Sequence, residues 1–420
     1  MPPPRRGGGR QDRRGMITDF EALDALWPLP PEELPRQWVL TRDESSLPEE
    51  WERDVLAGWH LGYHPFASVH PIQADDGTAL GWAIEPLAFL QEGRDSLIEG
   101  ALRLPVAEGD SPTEIERALY GRDELGQSTG NGLAGSWVAI VFAGIDENRF
   151  GRVYLGAKHS VLYSPEHSVV ATSHNLIPDV RRDEMLSRAF DPLTTNAYFT
   201  FGLTAFEGIR RLLPNHALDL GTFEPVRHWP AGAFDRLEAK DGVSLIVDHS
   251  RRLMDVLATR YRAFRVFLSA GRDSRAILSL LQPLVERGVD VRLSTTTGRD
   301  FASRVDLQAA RRLARISGLP HHVKSFRQQR HSTVQDKELR RGFVRIGEAR
   351  AGGYLASAAM SNKKPAHETD PQLFSLGGMA GETGRGFYWG QAIPSMVSAE
   401  DLVRRVQAPP TLQVTEAARE

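Results

Sequence analysis

The chain contains no cysteine, which removes disulfides, thiolate metal sites, iron–sulfur clusters and every thiol nucleophile at once. It has no apolar run of about 18 residues that would read as a membrane span. Its opening, MPPPRRGGGRQDRRG, lacks the apolar stretch of a signal peptide. The expected location is therefore the cytoplasm, with no membrane partner. An excess of charge of one sign is missing too: 51 Lys and Arg against 54 Asp and Glu give a formal net charge of −3. Nucleic-acid-binding domains usually carry a strong basic excess, so no nucleic-acid partner is expected. The pattern GxxxxGK[ST], which cradles phosphates for γ-phosphoryl transfer, is absent as well.

What is present is a globular composition, 41% hydrophobic and 25% charged over 420 residues, long enough for two domains. Residues 1–15 carry no large apolar side chain and are expected to form a disordered tail, with Met16 an alternative start. From Trp51 to about Trp229, short β-type runs such as GSWVAIVFAG and RVYLGAKHSVLYS alternate with turns. Asp76-Gly77 and Pro214-Asn215 mark two of those turns. Ser111 stands three residues before Glu114 in SPTEIERALYG, the spacing of a capping box, so a helix interrupts the strands and the region is α+β. The polar segment 231–243 divides the chain into units of 16–230 and 244–420. Beyond it, LIVDHSRRLMDVLATR, RVFLSAG, SRAILSLLQPLVERG, VDVRLSTTT and DLQAARRLARISG read alternately as helix and strand, the pattern of an α/β unit with a parallel sheet.

The chemistry concentrates after Val266-Phe267-Leu268, where Ser269-Ala270-Gly271-Arg272-Asp273-Ser274 joins a strand to a helix. Backbone N–H groups and the positive end of the helix dipole meet in such a turn, which suits a phosphate. Asp273 repels that phosphate unless a divalent cation lies between them, so Asp273 is a candidate Mg²⁺ ligand. The alternative for so short a motif is a plain turn.

The hexapeptide is similar to the SGGxDS signature of PP-loop ATP pyrophosphatases, departing at Ala270. LSTTTG with SRVDLQAARRLARISGLPHH, and the weaker Ser375-Leu376-Gly377-Gly378-Met379-Ala380-Gly381-Glu382, follow in the order that asparagine synthases show. GSWVAIVFAGIDENRFGRVYLGAKHSVLYSPEHSVVATSHNLI resembles the sandwich core of class II amidotransferase domains. The chain is thus identified as resembling the asparagine synthase superfamily over most of residues 50–390.

The resemblance implies an α+β, Ntn-hydrolase-like N-terminal domain followed by an α/β PP-loop domain, of the adenine nucleotide α-hydrolase-like type, with a parallel sheet. It implies an AMP-forming carbon–nitrogen ligase. ATP and Mg²⁺ serve as cofactors, and a small-molecule or peptide carboxylate as the substrate that an amine acceptor converts to an amide. Ser269, Ala270, Gly271, Arg272, Asp273, Ser274, Gly377 and Gly378 would contact the nucleotide, and Asp273 with Glu382 the metal. No catalytic residue is assigned. Gly381 stands where the family carries a metal-binding aspartate, and Arg385 offers a guanidinium for phosphate oxygens instead. Relatives lacking the N-terminal cysteine, such as β-lactam synthetases and lasso-peptide cyclases, use no glutaminase, and none is expected here.

The resemblance fades after Trp389, where relatives continue with a helical stretch that supplies a lysine; Lys363 and Lys364 precede the second loop. The second unit is therefore expected to be C-terminally truncated, its end frayed at QAPPTLQVTEAARE. The chain is expected to bind ATP without completing amide formation unless a partner chain, a second copy or a further segment supplies the cation. Alternatives remain a non-catalytic relative serving as a binding or scaffold subunit, and a tRNA-modifying PP-loop ligase. The GxGxxG of Gly130–Gly135 precedes a strand and reads as a loop, His60, His64 and His70 as structural histidines, and His321-His322 as part of a helix-to-strand turn.

Overall fold

Alternating apolar side chains build the first half of the molecule. Within Val138–Ala143, Val138 and Ile140 enter one core while Ala139, Val141 and Ala143 enter another, because successive strand residues point to opposite faces. The computed structural model describes residues 37–419 except 125–126, 157–160, 182, 190–198, 205, 231–236, 299, 326–371, 379–396, 407 and 409.

In chain order the first half holds β1 (Trp38–Thr41), β2 (Glu52–Leu56), β3 (Trp59–Tyr63), β4 (Val69–Gln73), β5 (Ala79–Ile84), β6 (Ala88–Leu90), β7 (Ser96–Leu97) and β8 (Leu102–Arg103). Then come α1 (Pro112–Tyr120), β9 (Gly132–Ala134), β10 (Val138–Ala143), β11 (Phe150–Leu155), β12 (Leu162–Ser164) and β13 (Val169–Ala171). The half closes with α2 (Glu184–Ala189), β14 (Arg210–Arg211), β15 (His216–Asp219) and β16 (Pro225–Arg227). The second half holds α3 (Ala239–Arg260), β17 (Ala263–Phe267), α4 (Arg272–Leu280), α5 (Gln282–Glu286), β18 (Asp290–Thr297), α6 (Phe301–Ser317), β19 (His321–Ser325), β20 (Leu373–Gly377), α7 (Ala399–Arg405) and α8 (Leu412–Ala417). The fold is α+β with mixed sheets, one of them parallel.

Two sheets dominate the first half, in strand orders β14-β12-β13-β1-β3-β2 and β16-β15-β11-β10-β5-β4-β8. The second is antiparallel except where β8 joins β4 in parallel. Trp38, Leu40, Leu61 and Val170 of one sheet share a core with Trp82, Ile140, Val153 and Leu155 of the other, so the sheets pack face to face. Helix α1 covers the outer face of the seven-stranded sheet, burying Ile115 and Leu119 against Ile72, Val141 and Tyr154. Its capping box forms as the spacing of Ser111 and Glu114 predicts, and Gly77 takes a positive φ in the Asp76-Gly77 turn between β4 and β5.

The second unit does not hold together to its expected end. Val403, Ala408, Val414 and Ala417 pack with Val39, Leu162 and Phe206 beneath the six-stranded sheet. The last residues therefore belong with the first sheet, and the boundary of 244–420 is corrected accordingly. Nor are the described residues of QAPPTLQVTEAARE frayed. Thr411 caps α8 by accepting from Val414 N–H, and Val414 is fully buried, so packing of the apolar face repays the ordering entropy. The dividing segment is also shorter than expected, since α3 already begins at Ala239. Residues 1–15 lie outside the described residues.

Helix α3 joins the two halves. Val256 packs on Ala88, Leu90 and Ala134 of the small sheet β7-β6-β9, while Met254 and Leu257 enter the core of the parallel unit. Arg252 grips Asp95 with two nitrogens and donates to the Gly130 carbonyl, to which His249 also bonds. The Gly130–Gly135 motif is not the expected loop preceding a strand, because its middle residues Gly132–Ala134 are strand β9 itself. Among the described residues no helix is long and apolar enough to cross a membrane.

The parallel sheet has the order β19-β18-β17-β20. Phe264, Val266, Val291 and Leu293 point to one face, where α3, α5 and α6 contribute Leu257, Leu284 and Ala310. Three expectations are corrected here. The stretch after the loop is two helices, broken at Leu281 because Pro283 in the first turn of α5 has no N–H for a continuous ladder. Ser303, three residues before Asp306, reads in the sequence as a helix start, whereas α6 starts from Asp300, whose carboxylate accepts from Ser303 N–H. His321 and His322 open β19 instead of lying in the turn before it.

Candidate functional site

The order of the parallel strands singles out one place. From β17 the chain steps to β18 and then β19 on one side, whereas β20 pairs with β17 on the other. The direction of winding therefore reverses between β17 and β20. At the carboxyl ends of strands flanking such a reversal, neighbouring loops part and leave a crevice. Phe267 is in register with Gly377 there, so the segments Leu268–Ser274 and Gly377–Gly378 emerge side by side.

The loop is held by bonds that its small residues permit. Leu268, 2% exposed, donates its N–H to the Ser294 carbonyl, and Thr295 Oγ1 donates to the Leu268 carbonyl at 2.8 Å. Ser274, itself buried, accepts from Ser269 N–H at 3.1 Å, with its Oγ 3.1 Å from Ser269 Oγ. Ser269 Oγ accepts from Gly271 N–H at 3.0 Å. The two hydroxyls thus tie the start of the loop to the first turn of α4 and shape it from within. Arg275 Nε donates back to the Gly271 carbonyl.

Gly271 is the N-cap of α4, and Arg272, Asp273 and Ser274 form its first turn. The amides of a helix's first turn have no acceptor within the helix and face outward with the dipole's positive end. Gly378 lies against that turn. A Cβ built on Gly378 meets Ser274 N at 2.5 Å and Asp273 C at 2.7 Å, so only a residue without a side chain lets the two backbones approach this closely. Gly271 and Arg272 are exposed and Asp273 is half-buried, which leaves the outer side of the loop open to solvent.

Ser269 through Ser274, Gly377 and Gly378 therefore lie together at this edge. Glu382, Gly381, Arg385, Lys363 and Lys364 lie outside the described residues. Asp306, which the sequence allows equally as part of a serine-and-aspartate helix start and as a plain surface residue, takes a definite place in the structure. Its Oδ1 accepts from Ala270 N–H at 2.8 Å, across 36 positions of sequence. The local signal was its place near the start of a helix that follows the neighbouring strand.

Asp273 offers one carboxylate on the loop, and the close approach of Gly378 leaves a narrow, amide-lined edge. That donor set fits Mg²⁺, which is commonly held by one or two carboxylates together with phosphate oxygens and waters. Among the described residues no three His, Asp or Glu side chains converge to form an all-protein cage. His321 lies near the loop through Thr295, its Nε2 2.9 Å from Oγ1, and burial together with Arg311 and His322 lowers its pKa.

A second cluster lies under α1. Arg152 bonds Glu116 at 3.1 Å and lies 3.8 Å from Asp219. Burial raises the pKa of Glu116 against the opposing pull of Arg152 and Arg122. Tyr120 stacks on His228 with ring centroids 4.5 Å apart, and Arg122 lies over the Tyr120 ring. These groups pack together inside the first half, where Arg152 Nε, Tyr154 OH and His228 Nε2 are buried without a hydrogen-bond partner among the described residues.

Compared with known proteins, the chain matches no family model and no curated protein.

Proposed function

We propose that the chain is an asparagine synthase-like ligase that uses ATP and Mg²⁺ to activate a carboxylate as an acyl-adenylate. In this reading the N-terminal half is a sandwich of the amidotransferase, Ntn-hydrolase-like type and the parallel unit a PP-loop domain. The observation that carries it is the convergence, at the switch point of the parallel sheet, of the Ser269–Ser274 loop with Gly377-Gly378.

Each side chain then has a task. First-turn amides of α4 meet phosphate oxygens, Asp273 holds the cation, and the Ser269 and Ser274 hydroxyls keep the loop in shape. Bound ATP supplies an electrophilic α-phosphorus, with pyrophosphate leaving as the carboxylate oxygen bonds to it. An amine nitrogen next bonds to the acyl carbon, AMP leaves, and the amine releases a proton. With no cysteine in the chain, no thiol is present to release ammonia from glutamine. The face-to-face sheets of the first half support the amidotransferase resemblance as architecture.

The test is an assay of AMP and amide formation from ATP, Mg²⁺ and a panel of amino acids and peptides, with and without glutamine. Pyrophosphate release from ATP is expected with an accepted carboxylate, amide following in equal amount only where a partner chain, a second copy or a further segment supplies the lysine cation. No glutamate above a heat-killed control is expected. Glutamate formation above that control, or ATP cleavage to ADP, contradicts the reading.

One observation favours a second reading, a nucleotide-binding subunit without catalysis. The N–H groups of Ser269, Ala270 and Gly271 already have acceptors within the chain, as in a loop that is stable without ligand. Nucleotide binding without pyrophosphate release over the same panel would decide for it.

A further inference from the structure

The carboxylate on the loop comes from outside the loop. Asp306 projects from the second turn of α6 and accepts from Ala270 N–H at 2.8 Å, one of the backbone groups that a phosphate would approach. Asp273 adds a second carboxylate at the first turn of α4. Arg272 and Arg275 carry the opposite charge, but both are exposed and Arg275 is turned back to the Gly271 carbonyl. Coulomb energy falls with distance and with solvent screening, so a carboxylate seated on the loop amide outweighs two solvated guanidiniums at that point. A bare polyphosphate arriving there meets like charge. One that carries a divalent cation does not.

We propose that Asp306 is a specificity-determining residue that makes the Ser269–Ser274 loop select a divalent-cation complex of a polyphosphate over the free anion. This rests on the reading of the loop as a phosphate site. Asp306 fixes the loop through its bond to Ala270 and, with the same charge, sets the cation requirement. It does so beside Asp273 on a helix that the sequence places 36 residues away.

The experiment is calorimetric titration of the full chain with inorganic pyrophosphate, once with Mg²⁺ and once with a chelator, for wild type and D306N. Asparagine keeps an oxygen for the Ala270 N–H and removes the charge. The wild type is expected to bind the Mg²⁺ complex at least about tenfold more tightly than the free anion, a ratio of the size one nearby charge produces. In D306N that ratio should fall about tenfold, chiefly because free pyrophosphate binds better. Should D306N not fold, Asp306→Ser repeats the test with a smaller neutral group.

A ratio unchanged from wild type overturns the inference. So does an equal loss of affinity for both forms, which is what a merely structural strut would give. If the wild-type chain binds pyrophosphate under neither condition, the phosphate-site reading falls and this inference with it. That outcome is distinct from the first two, in which the wild type still binds.

Discussion

Polar side chains shielded from solvent have different roles in the two halves of the molecule. In the antiparallel half, the half-buried Arg152, Glu116 and Asp219 pair with one another under α1, and the buried Thr172 bonds the backbone of Trp38. Among the described residues of the parallel unit the buried polar groups are Ser274, Ser294 and Thr295, and all three lie around the carboxyl end of β17. The comparison teaches where to look for chemistry. Polar groups that pair with each other within a core stabilise the fold, whereas polar groups gathered at one end of a parallel sheet shape an edge that faces solvent.

The comparison breaks most visibly under substitution of Arg152. Arg152→Ala leaves Glu116, 12% exposed, buried without its partner. A loss of about 3 kcal/mol in urea unfolding is expected, with no selective change in pyrophosphate binding. A selective loss of binding at unchanged stability would place the chemistry in the wrong half.

Acid should act on the same half. Burial, reinforced by the Arg122 guanidinium, lowers the pKa of His228 from 6.5 to about 4. Between those values the unfolded chain takes up a proton that the folded chain refuses, so stability rises with pH through this window and is lost as pH falls from 6.5 towards 4. After allowance for partial solvation the His228 contribution is about 2 kcal/mol at most. His228→Asn, which does not titrate, should flatten the slope of stability against pH in that range; an unchanged slope would exclude His228 as its source.

A smaller energy with a sharper meaning is expected at Gly378. Gly378→Ala forces apart the backbone of the first turn of α4 and should weaken pyrophosphate binding about tenfold, ~1.4 kcal/mol, while unfolding shifts by less than that. Unaltered binding would remove Gly378 from the site. The smallest effect belongs to the exposed pair Arg287–Asp255: Arg287→Ala should change stability by no more than about 0.5 kcal/mol in the same urea titration.

What the sequence made legible was local. The capping box of Ser111 and Glu114, the Asp76-Gly77 turn, the left-handed cap at Gly318 and the strand–loop–helix around Ser269 each rest on residues within a few positions of one another. What it hid was tertiary. Nothing near Val403 or Val414 reveals that α7 and α8 pack beneath a sheet begun by Trp38–Thr41, since an amphipathic helix does not name its partner. The partner of Asp306 was hidden for the same reason, its bond to Ala270 spanning α4, α5 and β18. The split at Pro283 was readable, but the apolar period continued across it and outweighed the missing N–H.

The most direct test of the account is pyrophosphate release from ATP with saturating Mg²⁺ and the accepted carboxylate, compared between wild type and Asp273→Ala. Asp273 lies in the first turn of the helix that the loop opens and outside the apolar core, so the variant should remain folded while its release falls to background. Release at the wild-type rate from the folded variant would contradict the claim that the Ser269–Ser274 loop binds the nucleotide through a cation on Asp273.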